Sequence, residues 1–190
     1  MLNAAYLGVS CRMNIRIRDA MNQDRDEIRN VHLQAFSEEE SRLIVELADS
    51  LLSQKSEPAT VTLVAEMDGE VVGHVAFSPV YAVGQKACLG YILAPLAVKP
   101  KCHNTGIGSK LVESGIARLS EMGVNLFLVY GDPKYYGKFG FKAEAASSYV
   151  PPYELKYPFG WLAILRSQGG ASEQAVQLSC VESLRNPELW

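Results

Sequence analysis

The chain has 190 residues, a length that suits one domain. Its 48% hydrophobic and 21% charged residues are those of an ordinary globular protein, so a sizeable core is available without disulfides or metals. A formal net charge of −3 argues against a dedicated nucleic-acid binder, which carries a basic excess.

The opening stretch, MLNAAYLGVSCRM, is mildly apolar but lacks a basic start, and its hydrophobic run is too short for a secretory signal. No apolar stretch approaches the ~18 residues of a membrane-crossing helix. A cytoplasmic protein is expected, with neither membrane nor nucleic acid as partner. Residues 1–12 read as an N-terminal extension, 13–166 as one α/β domain and 167–190 as a C-terminal extension.

Met13 to Arg18 alternates with period two and predicts a strand. Asn22 or Asp24 can cap a helix over Arg25 to Phe36, whose apolar stripe is Ile28, Val31, His32 and Ala35. A second helix is expected from Glu38 to Leu52. After a loop, Val61 to Met67 and Val71 to Val80 read as a hairpin turned at Asp68-Gly69. Gly84 marks another turn before a long strand from Cys88 to Val98. A helix follows from Gly108 to Met122, with Gly123 as its stop. Val124 to Tyr130 is apolar throughout, the mark of a buried parallel strand. Asp132 and Pro133 begin a short helix. Phe141 is expected to open another strand and Gly160 to Arg166 to form the last, with a weak helix-like run near Glu173 to Leu184. Antiparallel hairpins followed by a βαβ unit predict a single α/β domain.

Cys11, Cys88, Cys102 and Cys180 form no C-x-x-C, and only His103 stands beside one of them. Reduced thiols and no metal are expected, because a zinc site needs about four convergent ligands.

The junction HNTGIGSK, residues 103 to 110, carries the chemistry. Two glycines, Gly106 and Gly108, stand between a strand and a helix. A helix N-terminus has unsatisfied N–H groups and a partial positive charge, and glycines there let backbone approach a phosphate without a Cβ between. Lys99, Lys101 and Lys110, with His103, would give the cradle a basic rim. A plain tight turn would use the same glycines. A Walker A loop is excluded, because no glycine stands at position 103. A Rossmann fingerprint fails at Leu111, although Asp132 lies where a ribose-binding acid could sit. Gly115 fits close packing of a helix on a sheet.

LAPLAVKPKCHNTGIGSKLV resembles motif A of the GNAT superfamily of N-acetyltransferases, in which a strand ending apolar-x-V-x-P leads to [QR]-x-x-G-x-[GA]. Here His103 stands where Gln or Arg is usual. GDPKYYGKFGF resembles the end of that family's motif B, a Tyr followed by x-x-x-G-F, met by Tyr136, Gly140 and Phe141. The combination further resembles a bacterial branch of predicted acetyltransferases. The resemblance covers about residues 13 to 166.

It implies a GNAT fold, a mixed central sheet of about six to seven strands flanked by helices. It implies acetyl-CoA lying where the sheet splays beside the strand that ends at Val98. Leu96, Ala97 and Val98 would then meet the pantetheine arm, and His103, Asn104, Thr105, Gly106, Ile107, Gly108, Ser109 and Lys110 the pyrophosphate. An amine would attack the thioester directly, with Tyr136 protonating the departing thiolate. Neighbouring tyrosines lie ~100° apart on a helix, so Tyr135 and Tyr136 are not expected to face the cofactor together, and Tyr135 reads as a core aromatic.

No general base is named by the sequence. Glu66, His74 and Glu38 to Glu40 each read as surface or structural residues, and His74 as a half-buried histidine. The acceptor face is expected from the two early helices and from YVPPYELKYPFGW, which reads equally well as a packed crossover. The acceptor is a small-molecule or a protein amine, and the protein a monomer or homodimer. A non-catalytic module that binds acetyl-CoA as a sensor is the second functional class. A nucleotide-dependent oxidoreductase, resting on Asp132, is the third.

Overall fold

The computed structural model describes residues 14–166 and 175–190. In chain order its main elements are β1 (Ile15–Asp19), α1 (Arg25–Ala35), α2 (Glu38–Ser53), β2 (Val61–Met67), β3 (Glu70–Ala82), β4 (Cys88–Val98), α3 (Ile107–Glu121), β5 (Leu126–Tyr130), the one-turn α4 (Pro133–Tyr136) and α5 (Ala143–Ala146), β6 (Tyr149–Val150), β7 (Trp161–Leu165) and β8 (Val176–Cys180). The strands run side by side as β1-β2-β3-β4-β5-β7, with β8 on β3 and β6 on β8. Only β4–β5 and β6–β8 are parallel among these pairs. The expected mixed sheet flanked by helices is therefore what forms, with eight strands among the described residues.

The β2–β3 hairpin turns where the sequence places it. Asp68 and Gly69 both have positive φ, 53° and 82°, as a two-residue turn that matches strand twist requires. Along β3 the side chains alternate between two buried faces. Val75 and Phe77 pack with Ile107, Leu111 and Ile116 of α3. Ala76 and Val80 pack with Leu47 and Leu51 of α2. Helices thus cover both faces, and Gly115 lets α3 sit on the sheet: a Cβ there would overlap the Phe77 ring.

One irregularity shapes the site. The β3–β4 register slips between Val75 and Phe77, where β4 carries one extra residue at Ala94 and Pro95. Such a bulge bends its strand, and a proline contributes no N–H to the ladder. On its other side β4 pairs with β5 only from Tyr91 to Leu93. From Ala94 to Val98 the two strands part, and the sheet opens.

Two expectations fail. Phe141 opens no strand. It is buried in the core, Lys142 makes a single bridge to Ala163, and the good helix formers Ala143–Ala146 then make a turn of α5. The helix-like run near Glu173 to Leu184 is instead a strand over Val176–Cys180, followed by a 3-10 turn at Glu182–Leu184. Leu178 and Cys180 alternate with Gln177 and Ser179, a period of two, and β8 takes the stretch of β3 beyond the end of β2, at Val80 to Ala82. Met13, the extension at 1–12 and Glu173 lie outside the described residues.

Candidate active site

Gly106 is the N-cap of α3, at φ +83°, a conformation that favours glycine. No side chain caps this helix end. The first intrahelical bond reaches back only from the Lys110 amide to the Gly106 carbonyl, at 3.0 Å. The amides of Ile107, Gly108 and Ser109 therefore have no partner within the helix. They border a cavity of about 660 Å3 that is also lined by Leu96, Ala97, Val98, His103, Asn104 and Gly106. Nine of the eleven residues expected around a cofactor are thus brought together. Thr105 and Lys110 do not line the cavity. The Thr105 hydroxyl donates to the Cys102 carbonyl at 2.6 Å, and Lys110 is solvent-exposed.

The register of β4 fixes the chemistry of its inner edge. The Lys99 amide donates to the Val72 carbonyl at 2.9 Å, and Gly73 faces Val98, His74 faces Ala97, and Val75 faces Leu96. Antiparallel pairs alternate between bonded and non-bonded positions. Leu96 and Val98 fall on the non-bonded ones, so their N–H and C=O groups turn away from β3 into the gap. His103 already engages one of these carbonyls, with Nε2 2.9 Å from the Val98 oxygen.

The basic rim expected around the glycines is smaller than the sequence suggests. Lys99 is 2% exposed and its Nζ lies 2.7 Å from Glu70 Oε1, while Lys101 Nζ lies 2.7 Å from Glu70 Oε2. Both ammonium groups are committed to one carboxylate on β3, and neither lines the cavity. The lysine that does is Lys138, whose Nζ stands 4.0 Å over the Tyr135 ring.

The two tyrosines of α4 each line a cavity, against the expectation that Tyr135 is core. Asp132 caps α4 by accepting from the Lys134 amide at 2.9 Å, which accounts for its place after β5. Tyr135 lines the first cavity, with its hydroxyl against Gly108. Tyr136 lines a second cavity of about 330 Å3. The two rings meet edge to face at 5.0 Å, so the ~100° between them spreads across two adjoining chambers. Burial, and then the neighbouring Tyr135, hold the Tyr136 hydroxyl well above the usual tyrosine range. Burial also raises Tyr135.

Phe36 and Leu96 line both cavities and mark their boundary. Phe36, just past the end of α1, carried no signal in the sequence beyond its place at a helix stop. Behind it lies a buried pair. His32 Nε2 and His74 Nδ1 are 2.9 Å apart, both rings are fully buried, and His32 stacks on Phe36 at 6.0 Å. Burial pulls His32 down to about 4, and burial with the neighbouring His32 holds His74 well below the usual histidine range. His74 is thus fully rather than half buried. Neither ring lines either of these two cavities, so neither is positioned there as a base. Glu66 accepts from Arg18 Nε at 2.7 Å.

The second cavity is built from more than the two early helices. Ile44 and Leu47 of α2 form one wall, and Leu184, Leu189 and Trp190 another. The aromatic segment 149–161 divides. Tyr157 and Phe159 border an outer groove, while Trp161 packs inward and donates to the Tyr149 carbonyl at 2.8 Å. Among the described residues no group of three or more His, Cys, Asp or Glu could hold a metal, and no helix is long and apolar enough to cross a membrane.

Comparison with known proteins gives a consistent picture. Residues 25–141 match the model of the acetyltransferase (GNAT) family. The chain is 34% identical over 134 residues to the uncharacterized N-acetyltransferase YjhQ of Escherichia coli, across 70% of this chain and 72% of that protein. It is 42% identical over 88 residues to the E. coli N-acetyltransferase YhbS, across 45% of this chain and 52% of that protein. A crystal structure of E. coli YhbS in complex with CoA resembles the fold with a TM-score of 0.75 at 26% identity, covering 92% of this chain and 93% of that one. A GNAT acetyltransferase from Brucella melitensis in complex with acetyl-CoA does so with a TM-score of 0.69 at 31% identity, covering 90% and 98%.

Proposed function

Because the chain belongs to the GNAT acetyltransferase family, we propose that it transfers the acetyl group of acetyl-CoA to a primary amine by direct attack in a ternary complex. One observation carries this reading. The uncapped amides of Ile107, Gly108 and Ser109 open into the same cavity as the outward backbone groups of Leu96 and Val98. A row of free amides at a helix N-terminus suits a pyrophosphate, and an unpaired strand edge suits the amides of a pantetheine arm. The solved structures of two similar proteins hold CoA and acetyl-CoA, which supports the same co-substrate here.

Acetyl-CoA supplies an activated thioester, and the protein supplies position and protons. The Val98 N–H faces the gap and can stabilise the oxyanion that develops on the thioester carbonyl. Tyr136 is protonated at neutral pH and can donate to the departing thiolate. Burial raises the pKa of tyrosine and thiolate alike, so the proton transfer stays roughly matched. An ammonium first loses a proton to water, because it has no lone pair. The new N–C bond then forms as C–S breaks. Tyr136 gives its proton to sulfur and regains one from the amine nitrogen through water, for a net release of one proton. No base side chain is required beyond the water path.

The test is calorimetric titration of acetyl-CoA into the wild type and Gly108→Asp, followed by a thiol-release assay over amines. Micromolar binding lost in the variant, with turnover, supports the reading. Tight binding with no turnover of any amine points to a sensor. No binding of acetyl-CoA or of longer acyl-CoAs refutes it.

A further inference from the structure

The second cavity has a chemistry of its own that acetyl transfer does not dictate. Its 330 Å3 lie at the small end of the roughly 300–1,000 Å3 typical of small-ligand sites. Ile92 of β4 packs in one cluster with Leu47, Leu184 and Trp190, and these residues line the chamber together with Leu93 and Tyr136. Trp190 is fixed in place: the residue is 8% exposed, its Nε1 donates to the Leu184 carbonyl at 3.0 Å, and its ring packs 6.0 Å from that of Trp161. Among the described residues no lysine or arginine lines the chamber, and Asp132 is the one carboxylate residue that borders it. Outward, the outer groove shares Asp132, Leu189 and Trp190 with the chamber. Among the described residues Glu40 and Glu188 there add two more carboxylates against a single ammonium, Lys156.

From this arrangement we infer that the acceptor is a small amphiphilic monoamine: one primary ammonium on an aromatic or branched aliphatic body, without carboxylate or phosphate. The inference rests on the acetyl transfer proposed above. The three carboxylates at the mouth draw a cation inward. Inside, an anionic group would lose its hydration and meet no counter-charge, whereas an apolar body gains by burial. The same dry walls disfavour the charged form of the amine, lowering its pKa and readying it for attack. A chamber of this size and polarity thus selects its substrate and performs part of the work of the missing base.

The experiment uses the full chain in two arms. Calorimetry with acetyl-CoA alone tests the underlying reading, since it needs no acceptor. Thiol release then compares phenethylamine and isopentylamine with phenylalanine, phosphoethanolamine, spermidine and a lysine-containing peptide. The expected result is the highest kcat/KM for the apolar monoamines, at least tenfold above phenylalanine, rising about fourfold per added methylene until the chamber is full. Leu189→Lys, which sets a cation in the wall, is expected to cut that kcat/KM at least tenfold with acetyl-CoA Kd and thermal melting unchanged. The pair Glu40→Gln and Glu188→Gln is expected to raise KM for the ammonium and leave kcat alone. Preference for the phosphate, carboxylate, polyamine or peptide substrate overturns the inference, as does acetyl-CoA binding without turnover of any apolar amine. Failure to bind acetyl-CoA overturns the transfer reading itself, and the inference falls with it.

Discussion

The Tyr135 hydroxyl lies 2.5 Å from the point that a Cβ on Gly108 would occupy. The helix that borders the first cavity and the one-turn helix that carries both tyrosines therefore meet through a missing side chain. With the hydroxyl removed, the next neighbours of that Cβ would be 3.7 Å away, at ordinary contact distance.

This relationship predicts a specific double-mutant cycle. Gly108→Ala is expected to weaken acetyl-CoA binding by about tenfold, since the hydroxyl must move into the cavity and the free amides are screened. Adding Tyr135→Phe is expected to restore much of the loss. Calorimetry on the four proteins gives the coupling, and simple additivity of the two effects would show that the contact is without consequence.

Tyr136→Phe is expected to lower kcat by about 100-fold or more, the scale of general acid catalysis, with acetyl-CoA affinity unchanged. Burial holds the Tyr136 hydroxyl above its ordinary ~10. The group thus keeps its proton across the neutral and mildly alkaline range, and the wild-type pH–rate profile should show no falling limb from it below about pH 10. A limb below that pH that vanishes in Tyr136→Phe would contradict the upward shift, and an unchanged kcat in that variant would remove Tyr136 as the acid.

The buried His32–His74 pair makes stability depend on acid. Their folded-state pKa values lie below the 6.5 of a free histidine, His32 at about 4. A depressed pKa means that the unfolded chain binds more protons, so stability is fully present above about pH 6.5 and declines as pH falls toward 4. His32 alone accounts for about 3 kcal/mol over that window. Urea unfolding of the wild type between pH 7 and 4, beside His74→Leu, checks this. The variant should show a shallower decline, and equal slopes would remove the pair as the cause.

Gly115→Val is expected to destabilise the fold by about 1–3 kcal/mol through overpacking against Phe77. Phe77→Leu in the same chain should recover part of the loss. Thermal melting of the wild type and the two variants decides it, and a Gly115→Val protein that melts with the wild type would mean that α3 can lift from the sheet at no cost.

The parts of the molecule that local rules govern could be read from the chain. Asp68-Gly69 demanded a hairpin, Asp132-Pro133 a capped turn, and Gly106 and Gly108 bare backbone at a helix start, and each lies where expected. What escaped depended on partners distant in sequence. Lys99 and Lys101 looked like a rim because nothing near them shows that Glu70 holds both. Tyr135 looked like core because a helical wheel does not show two chambers side by side. The strand at Val176–Cys180 follows from the open flank of β3, nearly a hundred residues earlier. Pro95 is a legible local signal as well: a proline inside an apolar strand marks the bulge in β4, just past the last residue that pairs with β5.

Trp190, Leu189 and Leu184 wall the second chamber from a segment that begins more than forty residues beyond the stretch, 25–141, by which the chain is matched to its family. That one wall of the second chamber can therefore vary apart from the matched stretch, which supplies the rest of the lining. Substitutions in this outlying wall can reshape what enters beside Tyr136 while the glycine cradle and the open strand edge stay as they are. Kinship in residues 25–141 therefore leaves the shape of this wall open.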